Sequence, residues 1–210
     1  MDATLGGAGH SSEFAKLLGP DGVLLGIDQD EMALAAAGAK LEAIPAEQRP
    51  EIKLLRGNFG DMDELLVEAE VPGVDVVLFD LGVSSPQIDL PSRGFSFKED
   101  GPLDMRMNPG KQTLTAKEIV NTYNAADLTR IIRANSDEKW ASRIAEFIVR
   151  EREHGEIETS FQLVDIIKAA IPASARRRGG HPAKRTFQAL RIEVNSELTV
   201  LRSGLDAAVR

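Results

Sequence analysis

The chain has 210 residues, with 25 Lys+Arg against 33 Asp+Glu and a formal net charge of −8. Its 42% hydrophobic and 28% charged content is that of a soluble globular chain and excludes disorder as the main state. Cysteine is absent and only three His occur, which excludes disulfides and thiolate metal sites and argues against any metal centre. No apolar run reaches the roughly 18 residues of a membrane span, and Met1 leads at once into Asp2 and a Gly-rich stretch rather than a signal peptide.

Residues 1–90 read as strands alternating with helices. Thr4–Ser11 is Gly-rich and precedes a helix ending near Leu18. Gly22–Asp28 is an apolar run closed by an acid, the pattern of a buried parallel strand. A helix follows over Glu31–Ala43, then a second strand over Glu51–Phe59 with a Gly-Asn turn. Asp61 caps a helix over Met62–Glu70, and Val74–Gly82 is a third strand. Such repetition means βαβ units and a parallel sheet. From Thr115 onward the periodicity is helical: Ala116–Tyr123, Ala126–Ala134, Asp137–Glu153 and Ser160–Ala170. Ser174–Lys184 is a basic Gly/Pro-containing connection, and Arg185–Ala208 reads as one long amphipathic helix. Trp140, Ile144, Phe147 and Ile148 recur at helical spacing and are assigned to a core face.

Glycines before a helix let the backbone approach a ligand and expose amides at the helix start. The acid Asp28, about 20 residues after the turn, suits both hydroxyls of a ribose. The cofactor is therefore expected to contain a nucleoside. Gly7 and Gly9 fit the dinucleotide fingerprint, but Ser12 occupies its third glycine position, and no phosphate-binding Gly-Lys-Ser/Thr is present. Asp2 beside the turn is unwelcome to a pyrophosphate and suits the amino group of a methionine moiety. The chemistry favours S-adenosylmethionine over NAD. At the third strand end, Asp80 faces the ligand side of the sheet, and Pro86 is expected to hold Ser85 extended in a rigid loop.

Asp2–Ser11, Gly26–Asp30, Phe79–Asp89, Arg93–Phe97, Asp100–Met107 and His181–Leu198 together resemble the RsmH (MraW) family. The blocks stand in family order along nearly the whole chain. The resemblance implies a Rossmann-like α/β S-adenosylmethionine-dependent methyltransferase sheet with an inserted small all-helical domain. It implies a methyltransferase part over 1–102, a helical substrate-recognition part over 103–180, and a return helix over 181–210. It implies methylation of a cytosine N4 amine in 16S ribosomal RNA of the small subunit, in the cytoplasm, without a membrane partner and with a homodimer as an open option. Ala8, Gly9, His10, Asp28, Phe59, Asp80 and Gln87 fall on cofactor-binding positions. Ala8 stands where glycine is common and suits the turn if its φ is negative. Asp80, Ser84, Ser85 and Pro86 fall on the catalytic loop, where the second Pro and the aromatic of related amino-methyltransferases are missing. Phe95 or Phe97 is the candidate to stack on the base.

Arg176, Arg177, Arg178, Lys184, Arg185 and Arg191 lie in a stretch without acids. Taking these six charges from −8 leaves −14 on the rest, so the stretch is an expected RNA-phosphate contact. The first five carry the assignment; Arg93 and Arg106 are weaker candidates for the same cleft.

Two other readings stay open: an NAD-linked oxidoreductase, and a non-catalytic RNA-binding or assembly module of the same fold. Met1–Ala3 are too few for an ordinary strand of about 5–6 residues. The central sheet position before the turn is therefore expected to be empty, and the chain to be a fragment of low stability.

Overall fold

The computed structural model describes residues 1–176 and 180–210. The chain divides into two compact units. One comprises Met1–Pro86 with Leu198–Arg210, and the other Gln87–Glu197.

The first unit is built on a parallel pair, β1 (Val23–Asp28) and β2 (Glu51–Arg56), in register from Val23 opposite Glu51 to Asp28 opposite Arg56. Leu24, Leu25 and Ile27 are all at most 3% exposed, so β1 is covered on both faces, as its unbroken apolar run demands. Helix α1 (Gly9–Leu18) precedes β1, and α2 (Glu31–Glu42) connects β1 to β2. The Asp30 carboxylate starts α2 by accepting from the Met32 N–H at 3.1 Å. α3 (Met62–Glu68) follows β2, and α4 (Ser85–Asp89) follows the extended segment 74–84.

The central sheet position is occupied, contrary to the expectation. Asp2 forms parallel bridges to Gly26 of β1 on one side and to Leu78 on the other. The Asp2 and Ile27 N–H groups donate to Leu25 and Asp2 carbonyls at 2.8 and 2.9 Å, and the Ala3 and Leu78 N–H groups to Leu78 and Met1 carbonyls, both at 2.9 Å. Met1 extends the ladder with its terminal ammonium on the Val76 carbonyl at 2.7 Å. Three residues suffice because the segment is bonded on both edges, Asp2 to β1 and Met1 and Ala3 to the 76–78 segment. The third strand expected over Val74–Gly82 reduces to the bridge at Leu78, since Met1–Ala3 offer it so few partners.

Two apolar clusters cover the sheet. Leu5, Ala8, Ala15, Leu24, Ala37, Leu41 and Ile44 form one. Ala3, Ile27, Met62 and Ala207 form the other, with Phe59, Leu65 and Phe79 packed against it. Ala207 belongs to α11 (Glu197–Ala208).

The second unit carries α5 (Ala116–Thr122), α6 (Ala125–Ser136), α7 (Ala141–Arg152), α8 (Ser160–Ala170), α9 (Ala173–Arg176) and α10 (Lys184–Val194). Reciprocal caps fix two starts: Thr115 with Glu118 on α5, and Thr159 with Gln162 on α8. Ile144 and Ile148 of α7 are fully buried, while Trp140 caps the helix instead of lying within it. The helix expected from Asp137 starts at Ala141 because Asp137 is left-handed (φ 51°) and ends α6. α10 packs on α6 and α5 within the unit Gln87–Glu197.

The long helix expected over Arg185–Ala208 is broken between α10 and α11. Asn195 is 4% exposed and ties the Met105–Met107 loop to the end of α10. Its amide donates to the Met105 carbonyl at 2.9 Å and accepts from the Met107 N–H at 2.9 Å. Ser196 then turns left-handed at φ 50°, and the Arg191 guanidinium forks onto Glu197 at 2.7 and 2.9 Å.

Candidate functional site

The carboxyl ends of the central bridge, β1 and the 76–80 segment converge on the Gly-rich turn. The Leu5 N–H donates to Ile27 and the Ala8 N–H to Leu5, at 3.0 and 2.9 Å. The Gly6 N–H donates to Asp28 Oδ2 at 2.8 Å. Gly6 has φ 50°, the left-handed region that glycine takes without strain. Ala8 is left-handed as well, at φ 55°, so the condition of a negative φ is not met. The chain must reverse from strand to helix at this point. The Ala8 methyl is held fully buried in the cluster of Leu5, Ala15 and Leu24, which stabilises a conformation costing about 1–2 kcal/mol. A side chain built on Gly7 or Gly9 would meet open space, so the turn presents bare backbone to a ligand.

Three acids surround the turn. Asp28 accepts from Gly6 with one oxygen and from the Asp30 N–H, at 2.8 Å, with the other. Burial pushes its carboxyl above the usual Asp range, against the pull of these two N–H groups. Asp2 is 2% exposed; it accepts from the Ser11 hydroxyl at 2.6 Å and the Thr4 N–H at 3.0 Å. It therefore anchors the turn from below instead of offering itself to a ligand's amino group. Asp80 is exposed. Its N–H donates to the Thr4 hydroxyl at 2.7 Å, and its carboxylate stands 3.4 Å from His10 Nδ1. His10 and Asp80 are both 63% exposed, so this pair is open to solvent and to a ligand.

Phe59 lies just past β2 in a short 3₁₀ turn (Phe59–Asp61), rather than in the strand expected to reach it. Its ring meets Phe79 edge-on, centroids 5.5 Å apart, and its edge lies where a Gly204 side chain would be. It is half-buried. Asn58, read from the sequence only as part of a Gly-Asn turn, also links two strand tips. Its side chain caps Gly60 at 3.0 Å and reaches Gln29 at 3.5 Å, linking the tips of β2 and β1. The signal was an Asn directly after Gly57 at a strand end.

Ser84 lies beside the turn: a side chain on Gly6 would meet Ser84 Cβ at 3.7 Å. Ser85 is not extended. It opens α4, with Pro86 in the first turn, where its missing N–H costs nothing. Gln87 is buried and belongs to the second unit.

Of the basic stretch, Arg176, Lys184 and Arg185 are exposed, and Arg185 Nη1 donates to the Asp137 carbonyl at 3.3 Å. Arg177 and Arg178 lie outside the described residues. Arg191 is paired with Glu197 and only 19% exposed, so it does not extend the stripe. Arg106 is tied to Asp104 at 2.7 Å and to the Gln112 carbonyl at 2.9 Å, and Arg93 to the Arg106 carbonyl at 3.1 Å; both brace a loop. Phe95 is 8% exposed, and Phe97 is stacked on His181. The Phe95 ring is thus buried, and one face of the Phe97 ring is taken by His181. Among the described residues, no helix is long and apolar enough to cross a membrane.

A small parallel sheet with a Gly-rich turn at its centre and an acid at the next strand tip defines a mixed α/β fold whose ligand edge lies at the carboxyl ends of the strands. Comparison with known proteins narrows the class. The model of the MraW methylase family matches residues 1–210, and the chain belongs to that family. It is 50% identical over 209 residues to ribosomal RNA small subunit methyltransferase H of Ruminiclostridium cellulolyticum (strain ATCC 35319 / DSM 5812 / JCM 6584 / H10), with all of this chain and 66% of the relative covered. It is 51% identical over 210 residues to the protein of that name from Symbiobacterium thermophilum (strain DSM 24528 / JCM 14929 / IAM 14863 / T), with 100% and 64% covered. Against that of Acetivibrio thermocellus (strain ATCC 27405 / DSM 1237 / JCM 9322 / NBRC 103400 / NCIMB 10682 / NRRL B-4536 / VPI 7372) the identity is 54% over 206 residues, with 98% and 65% covered. The chain thus spans about two thirds of the length of these relatives.

Proposed function

We propose that this chain binds S-adenosylmethionine and serves the methylation of the N4 amine of a cytidine in 16S ribosomal RNA of the small subunit, in the cytoplasm. The observation that carries the reading is the Gly6–Asp28 clasp at the sheet's ligand edge, in a chain matched end to end by the MraW methylase family. The relatives' names, rRNA small subunit methyltransferase H, support the substrate class.

The donor set suits this cofactor. Residues 1–15 hold no Lys or Arg, so a pyrophosphate would find no counter-charge at the turn. Asp28 and the exposed Asp80 suit a cationic, phosphate-free ligand. Asp28 would take the ribose hydroxyls on its remaining lone pairs. Bare backbone at Gly7 and Gly9 would lie along the ligand, with His10 and Asp80 at its rim and Phe59 toward the base. Gln87 is assigned here on the family resemblance alone. S-adenosylmethionine supplies an electrophilic methyl group on sulfur. The protein's task is to align the acceptor in line with it.

A cytosine amine is a poor nucleophile because its lone pair is delocalised into the ring. Acceptors aimed at its two N–H groups localise that pair. Asp80, Ser84 and Ser85, rigidified by Pro86, are the groups proposed to supply them. The target base must leave its stack to reach them. We assign the Gln87–Glu197 unit as the inserted helical part that recognises RNA, with Arg176, Arg177, Arg178, Lys184 and Arg185 on the phosphates. Lys184 and Arg185 sit in the first turn of α10, which contains no acid and where the helix dipole disfavours cations. That arrangement offers a concentrated positive field to an anion.

The test is transfer of tritiated methyl to small ribosomal subunits. Asp80→Ala is expected to abolish transfer while melting like the parent. Undiminished transfer by that variant contradicts the assignment.

A further inference from the structure

His181 belongs to the described part of the basic stretch but is not one of its charges. It is exposed, and its ring lies flat on Phe97, centroids 4.6 Å apart and planes 17° from parallel. Phe97 is held in turn by an edge-on contact to the buried Phe187, at 5.8 Å and 81°. The Ala183 N–H donates to His181 Nδ1 at 3.3 Å, which fixes the rotation of the imidazole. The outcome is an aromatic plane with one face on a rigid support and the other toward solvent.

Two lysines act on this plane. Lys98 follows Phe97 in sequence, and Lys98 and Lys168 both act electrostatically on the imidazole. Burial first, and these two lysines second, push the His181 imidazole below its ordinary range, so it is neutral at neutral pH. Lys184 follows within the same turn, its N–H donating to the His181 carbonyl at 3.0 Å. Lys168 also pairs with Asp165 at 3.3 Å, but both are exposed, and such pairs are weak and salt-screened. A fixed, neutral aromatic face set among lysines is the arrangement that grips unpaired nucleic acid: bases stack, phosphates meet the cations.

We propose that His181 is a stacking platform for an unpaired RNA base, with Lys98, Lys168 and Lys184 holding the flanking phosphates. This rests on the reading of the chain as an RNA methyltransferase, and it names a base contact in place of Phe95 and Phe97. The experiment is fluorescence anisotropy of the full chain with a labelled single-stranded oligocytidylate RNA of about 10 nucleotides. His181→Ala is expected to weaken binding about tenfold, whereas His181→Phe stays within about twofold of the parent. Lys98→Gln is expected to weaken binding and reduce the salt slope by about 0.7. Melting curves and S-adenosylhomocysteine binding, unchanged in all three variants, separate these effects from misfolding. Parental affinity in His181→Ala overturns the platform and leaves the RNA reading standing. Absence of RNA binding by the parent itself overturns both.

Discussion

The Gly6 N–H donates to the Asp28 carboxylate across 22 residues of sequence, at 2.8 Å. This bond joins the Gly-rich turn to the tip of β1, so the acid that would hold a ribose also shapes the turn that would lie along it. In Asp28→Asn one of the two backbone donors, Gly6 or Asp30, would face an amide NH₂. The variant is expected to lose about 1.5–3 kcal/mol of stability, read by chemical denaturation. A stability equal to the parent's would show that the clasp does not form in solution.

The Thr4–Asp80 bond tests the other side of the turn. Thr4→Val removes the hydroxyl that receives the Asp80 N–H and keeps the shape. Methyl transfer is expected to drop at least tenfold, with Thr4→Ser close to the parent. Equal rates in Thr4→Val and Thr4→Ser would remove this bond from the site.

Ala8 separates strain from packing. Ala8→Gly relieves a left-handed backbone worth about 1–2 kcal/mol and loses a buried methyl worth about 0.8 kcal/mol, so its stability should stay within about 1 kcal/mol of the parent. Ala8→Val adds bulk at a fully buried site and a β-branch to a left-handed residue; a loss above about 2 kcal/mol is expected in denaturant titrations. Equal stability of the two variants would mean that the turn is not left-handed at Ala8.

How much of this was legible in the sequence depends on where the bonding partners lie. The runs Val23–Asp28 and Glu31–Glu42 carry their own patterns, and Thr159 with Gln162 announces its helix start locally. The Gly-rich turn and Asp28 are legible from spacing and chemistry. Met1–Ala3 are too short for a strand by length along the chain, whereas their ladder comes from Leu25 and Leu78 on either side. The helix break at Asn195 was hidden because the apolar period runs through it; the cause is the distant loop at Met105–Met107. Arg106 and Arg191 read as surface cations, yet their partners Asp104 and Glu197 hold them in the fold.

The Asp104–Arg106 pair gives the chain an acid-dependent element of stability. Burial pushes the Asp104 carboxyl up, but the hydrogen bonds and charge of Arg106 outweigh it and leave the group below the usual Asp range. A carboxyl depressed in the folded state adds stability above the unfolded value, about 3.9, and loses it as the pH falls through the folded value. Arg106→Gln should therefore cost about 1.5–3 kcal/mol at neutral pH. The difference from the parent should shrink as the pH is lowered from about 5 toward 3. Melting curves that stay parallel over that range would show that the pair carries no such linkage.

Cofactor binding at the Gly-rich turn is tested most directly by calorimetric titration of S-adenosylhomocysteine into the parent chain and into Asp28→Ala. One-to-one binding by the parent, at least tenfold weaker in Asp28→Ala, is the expected result. Equal affinity in the two proteins, or binding of NAD in preference to S-adenosylhomocysteine, would contradict it.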